Sequence, residues 1–266
     1  MKLYRRTALS LLLAALAALA PPAAQAAPTA KDELAPTGTL RVAVAISNLG
    51  GPFWSAVGPD GSVTGVPVDL GRALAQRLGV PVTFVKYENS GQITDAAASG
   101  AWDVTFVPED AARAQKMAFG PIYNSADATF LVRPGSTAQS FADLDNPAVK
   151  VVAVANTTTL RGAQRALAHN TVVGVQKVDD IVAGMRAGTI DAFANLRDQL
   201  VPLSAQLPGS RVLPGAFQQT KTAVAVPLDH PAALAYVSAF LAQAKTDGTL
   251  RRLFDAHGLQ AIAIAP

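Results

Sequence analysis

The side chain best placed for chemistry is Arg113. It follows the apolar run Trp102-Asp103-Val104-Thr105-Phe106-Val107, which reads as a buried strand, and it opens a short helical turn. An Arg just beyond the carboxyl end of a sheet strand stands where α/β folds hold ligands. Its planar guanidinium can grip a carboxylate through two parallel hydrogen bonds. Catalytic patterns are missing: there is no Gly-rich phosphate loop, no Gly-x-Ser-x-Gly elbow and no His-Glu-x-x-His stretch. His169, His230 and His257 lie apart, each beside a turn or helix end. Asp179-Asp180 reads as a helix start, and Asp229-His230 as a capping turn before Pro231. The pattern favours binding over bond-making, with no cofactor and no metal.

The elements that must position Arg113 alternate in type. Leu40 to Ile46, Val80 to Val85 and Trp102 to Val107 read as strands, with helices from Asp69 to Leu78 and from Ser90 to Ala98 between them. The scheme returns with a strand over Lys150 to Ala155, a helix from Thr158 to Ala168, a helix opened by Asp179-Asp180 and closed by Gly188, and a strand over Ile190 to Ala194. Thr222 to Val226 reads as a strand, Pro231 starts a strong helix, and a last helix runs from Leu250 to Ala256. Such alternation predicts parallel sheets covered on both faces. Two groups of units, separated by the extended stretch Asp127 to Val132, predict two α/β lobes.

Composition narrows the setting. The chain has 266 residues, a net charge of +3 and no Cys. The excess charge is local: removing Lys2, Arg5 and Arg6 from the 22 basic residues leaves 19, equal to the 19 acidic ones. Residues 27–266 therefore offer no general positive field for nucleic acid. Residues 1–26 have the pattern of a secretory signal: a basic start, an apolar run from Thr7 to Ala20, Pro21-Pro22, and the small-residue site Ala24-Gln25-Ala26. Cleavage is expected before Ala27, and residues 27–37 read as a flexible, disordered leader. Without Cys, an exported chain must be stabilised by core burial alone.

In order and spacing, several segments together resemble the family 3 extracellular solute-binding proteins, the periplasmic receptors of amino-acid ABC importers. They are Gly38-Thr39-Leu40-Arg41-Val42-Ala43-Val44, Asp60-Gly61-Ser62-Val63-Thr64-Gly65, Ser99-Gly100-Ala101-Trp102-Asp103-Val104, Arg113-Ala114, Ala187-Gly188-Thr189-Ile190-Asp191-Ala192-Phe193 and Asp247-Gly248-Thr249-Leu250. The resemblance implies a periplasmic-binding-protein type II fold: two doubly wound lobes joined by two hinge strands that close over one small ligand. It places lobe 1 at 38–125 and 223–266 and lobe 2 at 126–222, with hinges near Ser125-Ala126 and Thr222-Ala223. A monomer is expected, with a small carboxylate-bearing ligand and an inner-membrane ABC permease as partners.

The same resemblance implies the contacts. Arg113 would clamp the ligand carboxylate, and Thr157 and Thr158, opening a helix of lobe 2, would add anion contacts. Asn48, Trp54, Asn89, Asp110, Asn195 and Arg197 complete the expected set. The family's acid for a ligand ammonium should lie five residues after Asp191, at Leu196, which cannot serve. The resemblance therefore points to a mono- or dicarboxylate, or to an amino acid held by Asp110, Glu109 or Glu88. The loop from Asp103 to Arg113 is shorter than in well-known amino-acid binders and follows the Trp-Asp-x-x-Phe pattern of a divergent subgroup. The family also resembles cyclohexadienyl dehydratases, which need a positioned acid before the second hinge; Gln218-Gln219-Thr220-Lys221 contains none.

Overall fold

The computed structural model describes residues 27–47, 51 and 54–266; the expected signal sequence and Asn48 lie outside the described residues. Helix α1 (Ala30–Leu34) stands where the sequence predicts a disordered leader. Five residues are too few to show a period, but Thr29 and Asp32 form a capping box, and Leu34 is fully buried among residues of the last helices.

Strand β1 (Leu40–Ala45) is buried along most of its length, and β2 (Ala56–Val57) pairs with β3 (Val63–Thr64). Helix α2 (Val66–Leu78) begins earlier than Asp69 because Pro67 fits its first turn. Gly65 precedes it at φ +136, and a β-carbon there would meet the Trp54 carbonyl at 2.6 Å, so only Gly fits. Next come β4 (Val82–Tyr87), α3 (Ser90–Asp95), β5 (Val104–Pro108), a short turn over Arg113–Gln115, and the long strand β6 (Met117–Val132).

The second half supplies α4 (Phe141–Leu144), β7 (Val151–Val154), α5 (Thr158–Ala166), β8 (Val173–Val175), α6 (Val178–Ala187), β9 (Ala192–Leu196), α7 (Arg197–Gln206) and β10 (Arg211–Val212). The chain returns through β11 (Gln218–Pro227) and ends in α8 (Pro231–Thr246) and α9 (Thr249–Ala256). Helix α7 carries Pro202 inside it, which hid it from the sequence reading.

One mixed sheet runs β4-β1-β5-β11-β6-β9-β7-β8, with β10 also on β6. The parallel expectation holds within β4-β1-β5 and within β9-β7-β8, while β11 and β6 run antiparallel to their neighbours. The expected extended stretch Asp127 to Val132 is the end of β6, which serves both lobes. Strand β5 pairs with β11 only from Thr222 to Ala225, and β9 pairs with β6 only from Ala128 to Val132. Between those ladders the sheet is carried from one half to the other by β6 and β11, with a register shift at Thr222/Ala223. The fold is thus two doubly wound lobes joined by two hinge strands.

Each lobe buries its own part of that sheet. Leu40, Val42, Leu70, Val237 and Phe254 belong to a cluster on one face of the first lobe, and Phe130, Val151, Leu131 and Phe193 to clusters on both faces of the second. Burial of each such side chain contributes about 1.5–3 kcal/mol. A further cluster joins the lobes, bringing Trp54, Ile93 and Trp102 together with Ala128 and Leu196. No helix among the described residues is long and apolar enough to cross a membrane.

Candidate functional site

Arg113 lies at this lobe junction and is 1% exposed. Nη1 donates to the Pro108 carbonyl over 2.7 Å and Nη2 to the Ser90 hydroxyl over 2.8 Å, while Nε has no hydrogen-bond partner among the described residues. Burial pulls the guanidinium down to about 10, partly offset by Asp110, so it stays cationic at neutral pH. Pro108 pairs with Thr222 in the hinge ladder, which ties Arg113 directly to the pivot.

Asp110, expected to touch the ligand, is already committed. Its Oδ1 accepts from the backbone N–H of Arg113 over 2.9 Å, and its Oδ2 accepts from Arg161 of α5, with Nε at 2.7 Å. Asn89 is committed as well. Its Oδ1 accepts from the Gln92 N–H, capping α3, and its Nδ2 donates to the Gln176 carbonyl of the opposite lobe over 3.3 Å. Glu88 is exposed, beside Gln92 and Lys177, and Glu109 joins the hinge ladder through its N–H to the Lys221 carbonyl. Asp110 thus bridges the lobes through Arg161, while Glu88 stays at the surface.

From lobe 2, Thr157 caps α5: its hydroxyl accepts from the Leu160 N–H and donates to the Val154 carbonyl. That hydroxyl is spent on the cap, leaving the helix N-terminal amides and the buried Thr158 for an anion. Asn195 is buried, with Oδ1 accepting from the Leu196 N–H and Nδ2 without a partner among the described residues. Arg197 turns away: Nη1 donates to the Leu213 carbonyl and Nη2 to the Gly215 carbonyl. Its guanidinium closes a lobe 2 loop and does not enter the site.

Asp198, one position on, faces the other lobe instead. Its Oδ2 stands 3.0 Å from where a β-carbon on Gly51 would sit, beside Trp54. Neither carboxylate oxygen has a hydrogen-bond partner among the described residues. Burial pushes this carboxyl up to about 6, against a weaker pull from the nearby Gln199 and Asp198 amides. A buried cation and a buried carboxylate thus come from opposite lobes, each with unmet hydrogen-bonding capacity. Ser55, Asn124, Ser125 and Thr222 also have side-chain polar atoms buried without partners among the described residues.

The profile of the bacterial extracellular solute-binding proteins, family 3, matches residues 41–260. The chain belongs to that family. Among solved members of the fold, ArgBP from T. maritima, as the P235GK mutant, superposes with a TM-score of 0.75 at 22% identity, over 86% of this chain and 99% of that one. An ancestral amino acid-binding protein, AncCDT-1, described as a precursor of cyclohexadienyl dehydratase, gives a TM-score of 0.72 at 29% identity, over 85% and 98%. The membrane-bound lytic murein transglycosylase F of Maricaulis maris (strain MCS10) is 31% identical over 140 residues, which is 51% of this chain and 30% of that protein. The chain therefore spans about a third of the length of that curated relative.

Of the residues expected from the sequence, the structure buries Arg113, Trp54 and Asn195; Ser90, Arg161 and Asp198, which the sequence did not single out, also have side-chain groups at the contact between the lobes. The missed signal at Asp198 was local: an acid in the first turn of a helix that follows a buried strand, two residues after the Leu196 position where one was sought.

Proposed function

We propose that this protein captures a small solute bearing both a carboxylate and a cationic group, an amino acid or near relative, by closing two lobes over it. The observation that carries this reading is that the Arg113 guanidinium of lobe 1 and the Asp198 carboxylate oxygens of lobe 2, opposite charges, are each buried with hydrogen-bonding capacity unmet among the described residues. An ammonium beside Asp198 offsets the cost of burying that carboxylate, so the reason to expect a purely anionic ligand falls away. Support for an amino acid also comes from the 29% identical ancestral amino acid-binding protein. We place lobe 1 at 38–125 and 223–266 and lobe 2 at 126–222, the hinges being the β6 and β11 segments that carry the sheet from one half to the other. The secretory pattern of residues 1–26 and the family description support action outside the cytoplasm, with delivery to an ABC permease reading the closed form. Closure is a population shift, since the ligand touches both lobes only when they meet.

Thermal-shift screening of residues 27–266 against amino acids, dicarboxylates and monocarboxylates tests the reading. A ligand at a hundred times its Kd adds about 2.7 kcal/mol to stability. Zwitterions are expected to raise Tm and dicarboxylates to leave it unchanged; the reverse ranking overturns the assignment of Asp198.

One observation favours a second reading, a lyase on the same scaffold. Asp198 is a buried acid with its carboxyl near 6, fit to protonate a leaving hydroxyl, and AncCDT-1 is described as a dehydratase precursor. Incubation with prephenate separates the two: capture without turnover is expected, and release of water and CO2 overturns the binding-only role.

A further inference from the structure

We infer that Arg161 is a positioning residue that latches the lobes together and, through Asp110, sets the turn that carries Arg113. Arg161 belongs to α5 in lobe 2, yet its Nε donates over 2.7 Å to Asp110 Oδ2 in lobe 1. The other oxygen of Asp110 holds the Arg113 N–H over 2.9 Å. One carboxylate thus couples lobe closure to the geometry of the buried guanidinium. A second contact lies alongside: Asn156 Nδ2 donates to both oxygens of Asp95 at 3.0 Å. Here the backbones nearly touch, since a β-carbon on Gly91 would stand 2.8 Å from Asn156 Cβ and 2.9 Å from the Ala155 carbonyl. Glycine at 91 is what lets α3 meet the turn between β7 and α5.

These contacts form only when the lobes meet, so they add to closure whatever occupies the cleft. Apparent affinity scales with the closed fraction, and the latch raises that fraction for any solute. The role rests on two-lobe capture, but closure can be read without ligand, so ligand identity and latch fail separately.

The chain has no Cys, so Ala98→Cys with Ala183→Cys, both exposed and on opposite lobes, gives one labelled pair for spin–spin distance measurement on the protein alone. The closed population is expected to fall at least threefold in Arg161→Ala. It should fall equally in Asp110→Asn, which keeps an oxygen for the Arg113 N–H, and no further in the double variant. Arg161→Lys should restore part of it, and Gly91→Ala should open the lobes independently. Unchanged Tm alongside these shifts supports a latch. Wild-type distances in Arg161→Ala and Gly91→Ala, or additive effects of Arg161→Ala and Asp110→Asn, overturn it.

Discussion

Arg113 donates from Nη2 to the Ser90 hydroxyl over 2.8 Å, while Nε on the same buried guanidinium has no hydrogen-bond partner among the described residues. The side chain is therefore oriented by its own lobe and still has donor capacity for a ligand. Arg113→Ala is expected to abolish the thermal-shift response to every carboxylate ligand. Arg113→Lys keeps the charge but loses the planar fork, and should weaken binding by tenfold or more. A full response in Arg113→Ala would remove this residue from the site.

Asp198 predicts a pH signature. Its carboxyl titrates near 6 in the folded chain, against an ordinary value of 3.8, because burial disfavours the charge. Between those values the folded state binds the extra proton, so this group's contribution to stability is full below 3.8 and is lost as pH rises through 6. Asp198→Asn should therefore stabilise the free protein at pH 7 by about 3 kcal/mol, with the gain gone near pH 4. Binding has the opposite sign. A cationic group needs the ionised acid, so affinity should rise with pH up to about 6 and then level off. Calorimetric titration from pH 4.5 to 8 checks both; affinity independent of pH in that window excludes Asp198 from the contact.

At the start of the chain, Glu33 caps a distant helix. Its Oε2 accepts from the Ala233 N–H over 2.7 Å, in the first turn of α8, whose own N-cap His230 makes no side-chain cap bond. Glu33→Ala is expected to cost about 1 kcal/mol, and removal of residues 27–37 more, because Leu34 leaves the core with it. Chemical denaturation of the two variants measures this; a truncated chain as stable as the parent would restore the reading of 27–37 as a passive leader.

The limits of sequence reading follow the same lines. Arg113 was legible because a strand, a turn and an Arg are adjacent in the chain. Asn89 was assigned to the ligand by family position, although Asn89-x-x-Gln92 is itself a local capping pattern, and the cap won. Asp110 and Arg197 were read without their partners, because Arg161 and the carbonyls of Leu213 and Gly215 are far along the chain and no spacing announces them. Asp198 drew no assignment from the sequence, since nothing local reveals that its side chain and that of Arg197 part, one to the junction and one to a loop.

One repeated pattern carries a last prediction. Gly100-Ala101-Trp102-Asp103 and Gly188-Thr189-Ile190-Asp191 play the same part in the two lobes. Asp103 accepts from the Arg41 N–H at 2.8 Å and Nε at 3.0 Å, where β1 begins, and Asp191 accepts from the Lys150 N–H at 2.9 Å and Arg133 Nε at 2.8 Å, where β7 begins. The environments differ: the Asp103 side chain is 3% exposed and that of Asp191 29%. Removing a carboxylate from a buried pair strands its partner, which costs about 3 kcal/mol, whereas a water-accessible pair is worth about 1 kcal/mol or less. Asp103→Ala should therefore lower stability about three times as much as Asp191→Ala, and the milder variant should keep the ligand ranking of the parent, because neither acid reaches the junction. Equal losses in urea denaturation would mean that water screens both pairs alike, and a changed ligand ranking in Asp191→Ala would place that acid within reach of the solute.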